Sequence, residues 1–410
     1  MVRVGLLPAL LLFLLFPFGA PTTRAQSDLP EQLGIAGLLA MVPATLTDME
    51  DDEDVSDFYS QVSYAGFAAQ LASLGIDSPQ ALGDEEGISR WRTAMAPLSI
   101  PSQLARSSGP PEDQAEWQVA LGFAPFEIDE ALGVGQAPAQ LLLLRGRFDT
   151  STVEAALQPS GFQAIGDTIY HVEHVDLDSP AGKAVSIGMR YAAILPDGTL
   201  LFAGREEIAR GVLETVSGES PALDTAPLIA PLLASAPADL ASAIIVPGVR
   251  FAGAEIPSFG FDPDVHPSDL AATAEAVATA SANEPKLPPV LVALLGMTIG
   301  GPYWPSGVET TPIPLAEGQA QARFAVELLF ASEADAAAAV PVLDERLATE
   351  TVGPNGPAYA ELFSERTIAI STTSPTVVGL DLTFDTDVRP SRWLAHLPNG
   401  LIGPGFLRWG

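Results

Sequence analysis

The clearest pattern along the chain is an apolar run that ends in a polar helix start. Residues Gln140–Phe148 (QLLLLRGRF) form the strongest candidate, and their continuous apolar half predicts a strand buried on both faces. Ser151 and Glu154 follow at the Ser-x-x-Glu spacing of a capping box, which predicts a helix ending at Leu157. This stretch therefore predicts a strand followed directly by a capped helix.

The chain continues with short extended segments separated by turn and helix signals. Pro196-Asp197-Gly198 is a strong turn signal, and Arg205 to Val216 has the pattern of a helix that ends near Gly218. Strands are predicted at 168–175, 184–195, 200–203 and 243–246.

A similar order returns near the C-terminus. Ala322–Phe330 is predicted to be a strand, and Ser332 is predicted to cap a helix that reaches Leu347 and is kinked or split by Pro341. Residues 366–371 and 377–384 then form a hairpin candidate. The fold class indicated is α+β, with antiparallel or mixed sheets covered by helices. The repeated order fits two related α+β units, and it fits chance recurrence of a common order equally well.

Glycine and proline divide the chain into two predicted domains. An N-terminal α+β domain is expected over 26–250 and a C-terminal α+β domain over 290–410. Residues 251–289 between them are rich in Gly and Pro and carry one helix candidate, at 268–281.

Residues 1–25 have the order of regions found in a secretory signal peptide. Arg3 is followed by an apolar core from Leu6 to Phe18, and Thr23 and Ala25 form a small-x-small cleavage site. The apolar run is shorter than the roughly 20 residues that a membrane-spanning helix needs. We therefore expect an exported protein without a transmembrane span, either extracellular or at the cell envelope, and periplasmic where the host has an outer membrane.

The amino-acid composition excludes several kinds of site and partner. The chain has 410 residues, no cysteine and a formal net charge of −32. Disulfides, thiolate metal sites and cysteine nucleophiles are excluded, and an acidic chain with few basic residues is a poor nucleic-acid binder. The scarcity of lysine and the abundance of Ala, Gly and Pro are typical of a bacterial protein from a GC-rich genome. The acidity favours solubility, and the alternative is salt adaptation or the binding of cations or basic partners.

One segment carries a family resemblance. Residues 200–245 (LLFAGREEIARGVLETVSGESPALDTAPLIAPLLASAPADLASAII) resemble uncharacterised exported bacterial proteins of the domain-of-unknown-function type. There a strand, a small-residue turn and two helices precede the next strand. The resemblance implies repeated α+β modules and an exported protein, and it carries over no catalytic residue.

The candidate metal ligands lie in one histidine-containing segment. In an extended segment His174, Asp176 and Asp178 share one face, and together they could bind a divalent ion. The same alternation is typical of the solvent-facing side of a half-buried strand, which is the preferred interpretation. A second acidic run, residues 48–54, lacks the glycine and ligand spacing of an EF-hand loop and is interpreted as a solvated loop.

The candidate catalytic groups are adjacent carboxylates. Asp129 with Glu130, or Glu206 with Glu207, could serve a glycosidase, although the second pair suits the first turn of a helix better. The sequence contains no Gly-x-Ser-x-Gly, no phosphate-binding loop and no zinc-helix motif. No catalytic residue and no cofactor is therefore assigned.

A proline-rich loop holds the candidate binding residues, Tyr303 and Trp304. Exposed aromatic side chains fixed by proline make good contact surfaces, although Trp more often covers the core. The function expected from the whole chain is non-enzymatic binding of an unknown protein or small molecule, or an envelope-associated role. The alternative is an extracytoplasmic hydrolase built from scattered carboxylates and hydroxyls.

Overall fold

The computed structural model describes a large part of the chain. The described residues are 33–45, 59, 61–95, 98, 100–101, 104, 111–166, 168–173, 189–251, 286–298, 300, 321, 323–350, 358–384 and 407.

A single antiparallel sheet organises these residues. Its twelve strands are β1 (Val62–Gly66), β2 (Ile128–Gln136), β3 (Ala139–Gly146), β4 (Gln163–Ile165), β5 (Ile169–His171), β6 (Tyr191–Ile194), β7 (Leu200–Ala203), β8 (Leu240–Pro247), β9 (Val290–Thr298), β10 (Arg323–Phe330), β11 (Phe363–Ile370) and β12 (Val377–Phe384). Their order across the sheet is β11-β12-β10-β9-β8-β1-β2-β3-β7-β6-β5-β4. The outer strands of the described sheet are therefore β11 and β4.

Both faces of the sheet are covered by apolar side chains. In β3, Leu142 and Leu144 lie in one core while Leu141 and Leu143 lie in a second core on the opposite face. Alternate residues of a strand point to opposite faces, so a strand buried on both sides needs an unbroken apolar run. The prediction that the run after Gln140 is buried on both faces is confirmed.

Nine α-helices in the described ranges supply the covering layers. Six contribute to the first core: α2 (Phe67–Ser73), α3 (Glu85–Met95), α4 (Pro111–Leu121), α5 (Thr150–Leu157), α8 (Glu333–Thr349) and α9 (Tyr359–Leu362). Three contribute to the second core: α1 (Gly34–Leu39), α6 (Glu206–Ser217) and α7 (Ala230–Ser235). Helices on both sides of an antiparallel sheet confirm the α+β class.

The two halves of the sheet share a topology. Strands β1, β2 and β3 are consecutive neighbours, and so are β8, β9 and β10. A helix follows each trio, α5 in the first half and α8 in the second. The hairpin strands β6–β7 and β11–β12 then return so that β7 pairs with β3 and β12 pairs with β10. This correspondence supports the interpretation of two related units, with β4 and β5 as an addition to the first.

The two halves meet inside the sheet. At the centre β1 pairs with β8, and Tyr64 lies opposite Ala243. On its other side β8 pairs with β9, with Ile244 opposite Leu295. Strands from both predicted domains therefore belong to one sheet, and residues 252–285 of the predicted connector lie outside the described residues.

The structure confirms one of the two predicted helix caps and corrects the other. The capping box predicted from Ser151 and Glu154 is wrong, because Asp149 is the cap and its carboxylate accepts a hydrogen bond from the Ser151 amide at 3.0 Å. The cap predicted at Ser332 is confirmed by a 3.1 Å bond from the Asp335 amide. Helix α8 also continues through Pro341 instead of splitting there.

Candidate functional site at the outer strand

The residues singled out by the sequence for binding lie outside the described part of the chain. This applies to the proposed metal ligands His174, Asp176 and Asp178, to the aromatic pair Tyr303 and Trp304, and to the acidic run 48–54. All of them stay predictions. The nearby His171 is described, and its ring stacks on that of Tyr191 with centroids 4.6 Å apart.

Glu130, half of one predicted catalytic pair, is used inside the fold. Its carboxylate accepts hydrogen bonds from the backbone amides of Leu33 and Gly34, at 3.0 and 2.8 Å, and from the Tyr64 hydroxyl at 3.0 Å. Burial, together with this carboxylate, raises the pKa of Tyr64 far above its ordinary value. Glu130 therefore ties the N-terminal end of α1 to the middle of the sheet.

Asp129, the other member of that pair, also has an internal role. Arg147 donates from Nε to Asp129 at 3.1 Å, and from Nη2 to the Phe126 carbonyl at 2.7 Å and to Ser78 at 2.5 Å. Burial raises the pKa of Asp129, and the Arg147 guanidinium opposes that shift. The sequence places the two carboxylates side by side, but each holds a different segment against β2.

The second predicted pair lies where a structural role was expected. Glu206 and Glu207 occupy the first turn of α6, and Glu206 accepts a hydrogen bond from Arg210 at 2.8 Å. Beside them is a cleft of about 270 Å³, lined by Ile165, Gly166, Thr168, Ile169, Arg210, Leu213 and Glu214. The cleft is smaller than the sites that enclose most drug-sized ligands.

The most open element of the described sheet is the outer strand β11. Its residues from Ser364 to Thr367, together with Ala369 and Ile370, are exposed. Among the described residues, β12 pairs with one side of β11 and no strand pairs with the other. The opposite outer strand, β4, has only three residues. Long exposed outer strands offer a line of backbone donors and acceptors to another chain.

The pairing of β11 with β12 fixes what each face of the strand carries. Thr367 lies opposite Asp381 and Glu365 opposite Thr383, so these four residues share one face. Arg366 lies opposite Leu382, which belongs to the core on the other face. The acidic residue of β11 and its basic residue therefore lie on opposite faces of the sheet.

A charged group continues the acidic face inward from β11. Arg323 on β10 forms an ion pair with Asp381, and its Nη2 lies 3.5 Å from a carboxylate oxygen of Asp239. The side chains of Asp381 and Asp239 are 39% and 47% exposed. Two carboxylates share one guanidinium here, so the group keeps a net negative charge.

Glu327 lies deeper on the same face of β10. It is only 6% exposed, and no hydrogen-bond donor among the described residues reaches its Oε2 atom. Gly379 lies opposite it on β12, and a Cβ atom there would be 3.0 Å from that oxygen. Burial raises the pKa of Glu327 to about 8, and the Asp381 carboxylate adds to the shift. Glu327 is therefore mainly uncharged at neutral pH.

Three hydroxyl groups fix the turn of the β11–β12 hairpin. Ser235, at the end of α7, donates to Ser371 at 2.7 Å, and Ser371 lies 2.9 Å from the Thr373 hydroxyl. Thr373 also donates to the Ala234 carbonyl at 3.1 Å. The hairpin that ends the sheet is thus anchored to a helix from the first half of the chain.

Neither a metal cluster nor a membrane-spanning helix is present in the described ranges. No group of three or more His, Asp or Glu side chains has a metal-binding arrangement there. No helix there has the length and apolar character needed to cross a bilayer.

Comparison with protein-family models, with curated proteins and with solved structures finds no match for this chain. Its function has therefore to be inferred from its own residues.

Sequence reasoning identified β11 as a strand but not as the edge of a sheet. The hairpin predicted over 366–371 and 377–384 agrees with β11 and β12. The exposed side chains of Glu365, Arg366 and Thr367, next to the apolar run of β12, were the available signal. A strand with polar residues at consecutive positions is typical of an edge, because neither of its faces needs to be apolar.

Proposed function

We propose that this chain is an exported, non-enzymatic binding protein that takes up an extended segment of another polypeptide along β11. The observation that carries the proposal is the eight-residue outer strand, six of whose residues are exposed. In β-strand addition the backbone of the partner supplies the hydrogen bonds, so a free edge is the first requirement.

The backbone pattern of the hairpin indicates which groups face outward. The Ser371 amide donates to the Val377 carbonyl at 2.8 Å, so Ser371 is hydrogen-bonded to β12. Backbone groups of successive residues in a strand alternate in direction. Arg366, Ile368 and Ile370 therefore point their backbone donors and acceptors away from β12, where a partner strand would lie.

The position of β12 supports binding with little rearrangement. Val377 and Val378 are fully buried, and the hydroxyl cluster of Ser235, Ser371 and Thr373 holds the turn. A strand that is already extended and anchored loses little conformational freedom on binding. The ordering cost therefore falls mainly on the partner.

Charge favours a foreign partner over a second copy of this chain. Each copy carries a formal net charge of −32, so two copies repel each other.

The hydrolase alternative would need a protonated carboxyl that a substrate can reach. Glu327 is the described carboxyl whose pKa is raised to about 8. Its 6% exposure leaves it out of reach of a substrate, so binding is the function we propose.

The experiment uses the mature full-length chain and a fluorescent decapeptide that alternates threonine and valine. Fluorescence anisotropy is expected to show binding to the wild type and to Arg366→Ala, which keeps the outward amide. Arg366→Pro removes that amide from a position where an edge strand tolerates proline, and binding should weaken at least about tenfold.

Circular dichroism and thermal unfolding verify that both variants fold. Equal binding by the proline and alanine variants, or no binding to any of the three proteins, overturns the proposal. Sedimentation velocity tests self-pairing, and a dimer that Arg366→Pro abolishes would replace the foreign partner by a second copy.

A further inference from the structure

We infer that the segment bound along β11 is cationic, with Lys or Arg at alternate positions on the face that carries Glu365 and Asp381. The inference rests on the proposed function and adds the chemical class of the partner. It is carried by the distribution of charge across the two outermost strands.

Glu365 is the nearest charged group for such a segment. It is exposed and lies on the outer strand itself, so a partner side chain on the same face would be its direct cross-strand neighbour. Opposite charges at such positions attract, and like charges directly opposite each other are destabilising. An acidic partner residue is therefore disfavoured at this position.

Asp381 extends the attraction one strand inward. Only Thr367 lies beside it on β11, and the long stem of a Lys or Arg side chain can lie across so small a residue. Arg323 neutralises one of the two carboxylates it contacts, which leaves Asp239 and Asp381 with one net negative charge. The face thus attracts cations at two positions, at Glu365 on β11 and at Asp381 on β12.

The opposite face of β11 has different chemistry. It carries Arg366 together with Ile368, whose side chain packs against the first core. A basic side chain there would meet Arg366, and an apolar one would extend the contact made by Ile368. The preferred partner is therefore a strand in which basic residues alternate with apolar residues.

The test compares three decapeptides of equal length that alternate valine with lysine, threonine or glutamate. With the wild type at low salt, the lysine peptide is expected to bind most tightly and the glutamate peptide least. Each opposed charge pair contributes about two- to fivefold, and the preference should shrink at higher ionic strength.

Two charge reversals separate local recognition from the overall charge. Glu365→Lys is expected to remove or reverse the preference for lysine, measured as the ratio of the affinities for the lysine and threonine peptides. Glu219→Lys changes the net charge equally at an exposed site at the end of α6, far along the chain from β11, and should preserve most of the preference.

The outcomes distinguish the two proposals. If threonine and lysine peptides bind equally and Arg366→Pro weakens both, strand addition stands and the cationic partner is wrong. If lysine is preferred but Arg366→Pro binds as well as Arg366→Ala, the attraction is non-specific and both proposals fail. A preference lost equally in Glu365→Lys and Glu219→Lys also overturns the local recognition.

Discussion

At the scale of single residues, Glu327 is the group with the most unusual environment. It lies in the middle of β10 with β9 on one side and β12 on the other, and helix α7 contacts β10 and β12. The Asp381 carboxylate acts on it, and Asp381 is in turn paired with Arg323, which also lies near Asp239. Helix α7 itself (APLLAS) carries no titratable residue. Removing water without supplying a donor favours the protonated carboxyl.

This environment makes stability depend on pH. The pKa of Glu327 rises from its ordinary 4.5 to about 8 on folding, so the folded state holds a proton that the unfolded state has released between these values. Stability therefore falls as pH rises through this window, by up to about 1.4 kcal/mol per pH unit. In Glu327→Gln that loss is absent, and the variant should gain stability over the wild type between pH 5 and 9.

Urea unfolding at pH 5, 7 and 9 measures the effect. Glu219→Gln, an exposed substitution of the same kind, serves as the control and should follow the wild type at every pH. A constant difference in unfolding free energy between Glu327→Gln and the wild type would show that Glu327 does not change its protonation on folding.

At the scale of elements, two glycines with the same backbone angle separate two sources of strain. Gly122, after α4, and Gly218, after α6, both have φ of +81°. A Cβ atom on Gly122 would lie 2.6 Å from the Thr152 carbonyl oxygen in α5, whereas one on Gly218 would have no atom within 4 Å. Only the first position therefore combines the left-handed backbone with a close approach between helices.

Alanine substitutions should reveal this difference. We expect Gly218→Ala to cost about 1 kcal/mol, the usual penalty of the left-handed conformation. Gly122→Ala should cost at least about 3 kcal/mol, because α4 and α5 have to move apart. Midpoints of guanidinium unfolding at a common slope test the ranking, and equal losses would show that the contact with α5 adjusts freely.

The elements that the sequence predicts best are those with a single strong signal. The apolar run of β3 could be recognised because burial on two faces leaves no room for polar residues. Strand β12 could be recognised because Leu380 and Leu382 alternate with Asp381 and Thr383. Strand β2 (IDEALGVGQ) was missed, because Asp129, Glu130 and two glycines interrupt its apolar pattern. Those acidic residues are tolerated inside because Arg147 pairs with Asp129 and the amides of Leu33 and Gly34 donate to Glu130, which local sequence does not reveal.

At the scale of the whole molecule, the cores join the two halves. The first core contains Leu142 and Ile244 together with Leu295 and Phe330, and the second contains Leu143 together with Leu294 and Leu329. The apolar faces of β8 and β9 are continuous. We therefore expect the full chain to unfold in one cooperative transition.

Truncation tests that expectation. A chain that ends at residue 250 would expose the edge of β8 that β9 covers, and we expect it to lack a cooperative thermal transition. Circular dichroism and tryptophan fluorescence of the full-length chain should give coincident unfolding curves. A truncated chain that unfolds cooperatively would instead support the two separate domains predicted from the sequence.

The candidate site could be predicted only in part. The alternation of Glu365, Arg366 and Thr367 places charges of opposite sign on opposite faces once a strand is assumed. That β11 lies at the edge depends on β12 pairing with β10, a contact between segments separated by α8, α9 and β11. Such pairing is set by tertiary packing, so no local pattern specifies it.

The central pairing of β1 with β8 has a consequence for the order of assembly. Tyr64 and Ala243 are 179 residues apart in the chain, so β1 is made long before the strand that completes its second edge. Contacts of this separation are slow to form, whereas β2 and β3 form a local hairpin in which Gln136 lies opposite Ala139. Until β8 arrives, the half-finished sheet presents an uncovered edge at its own centre. Aggregation of partly folded chains should therefore begin at β1, in the middle of the finished sheet.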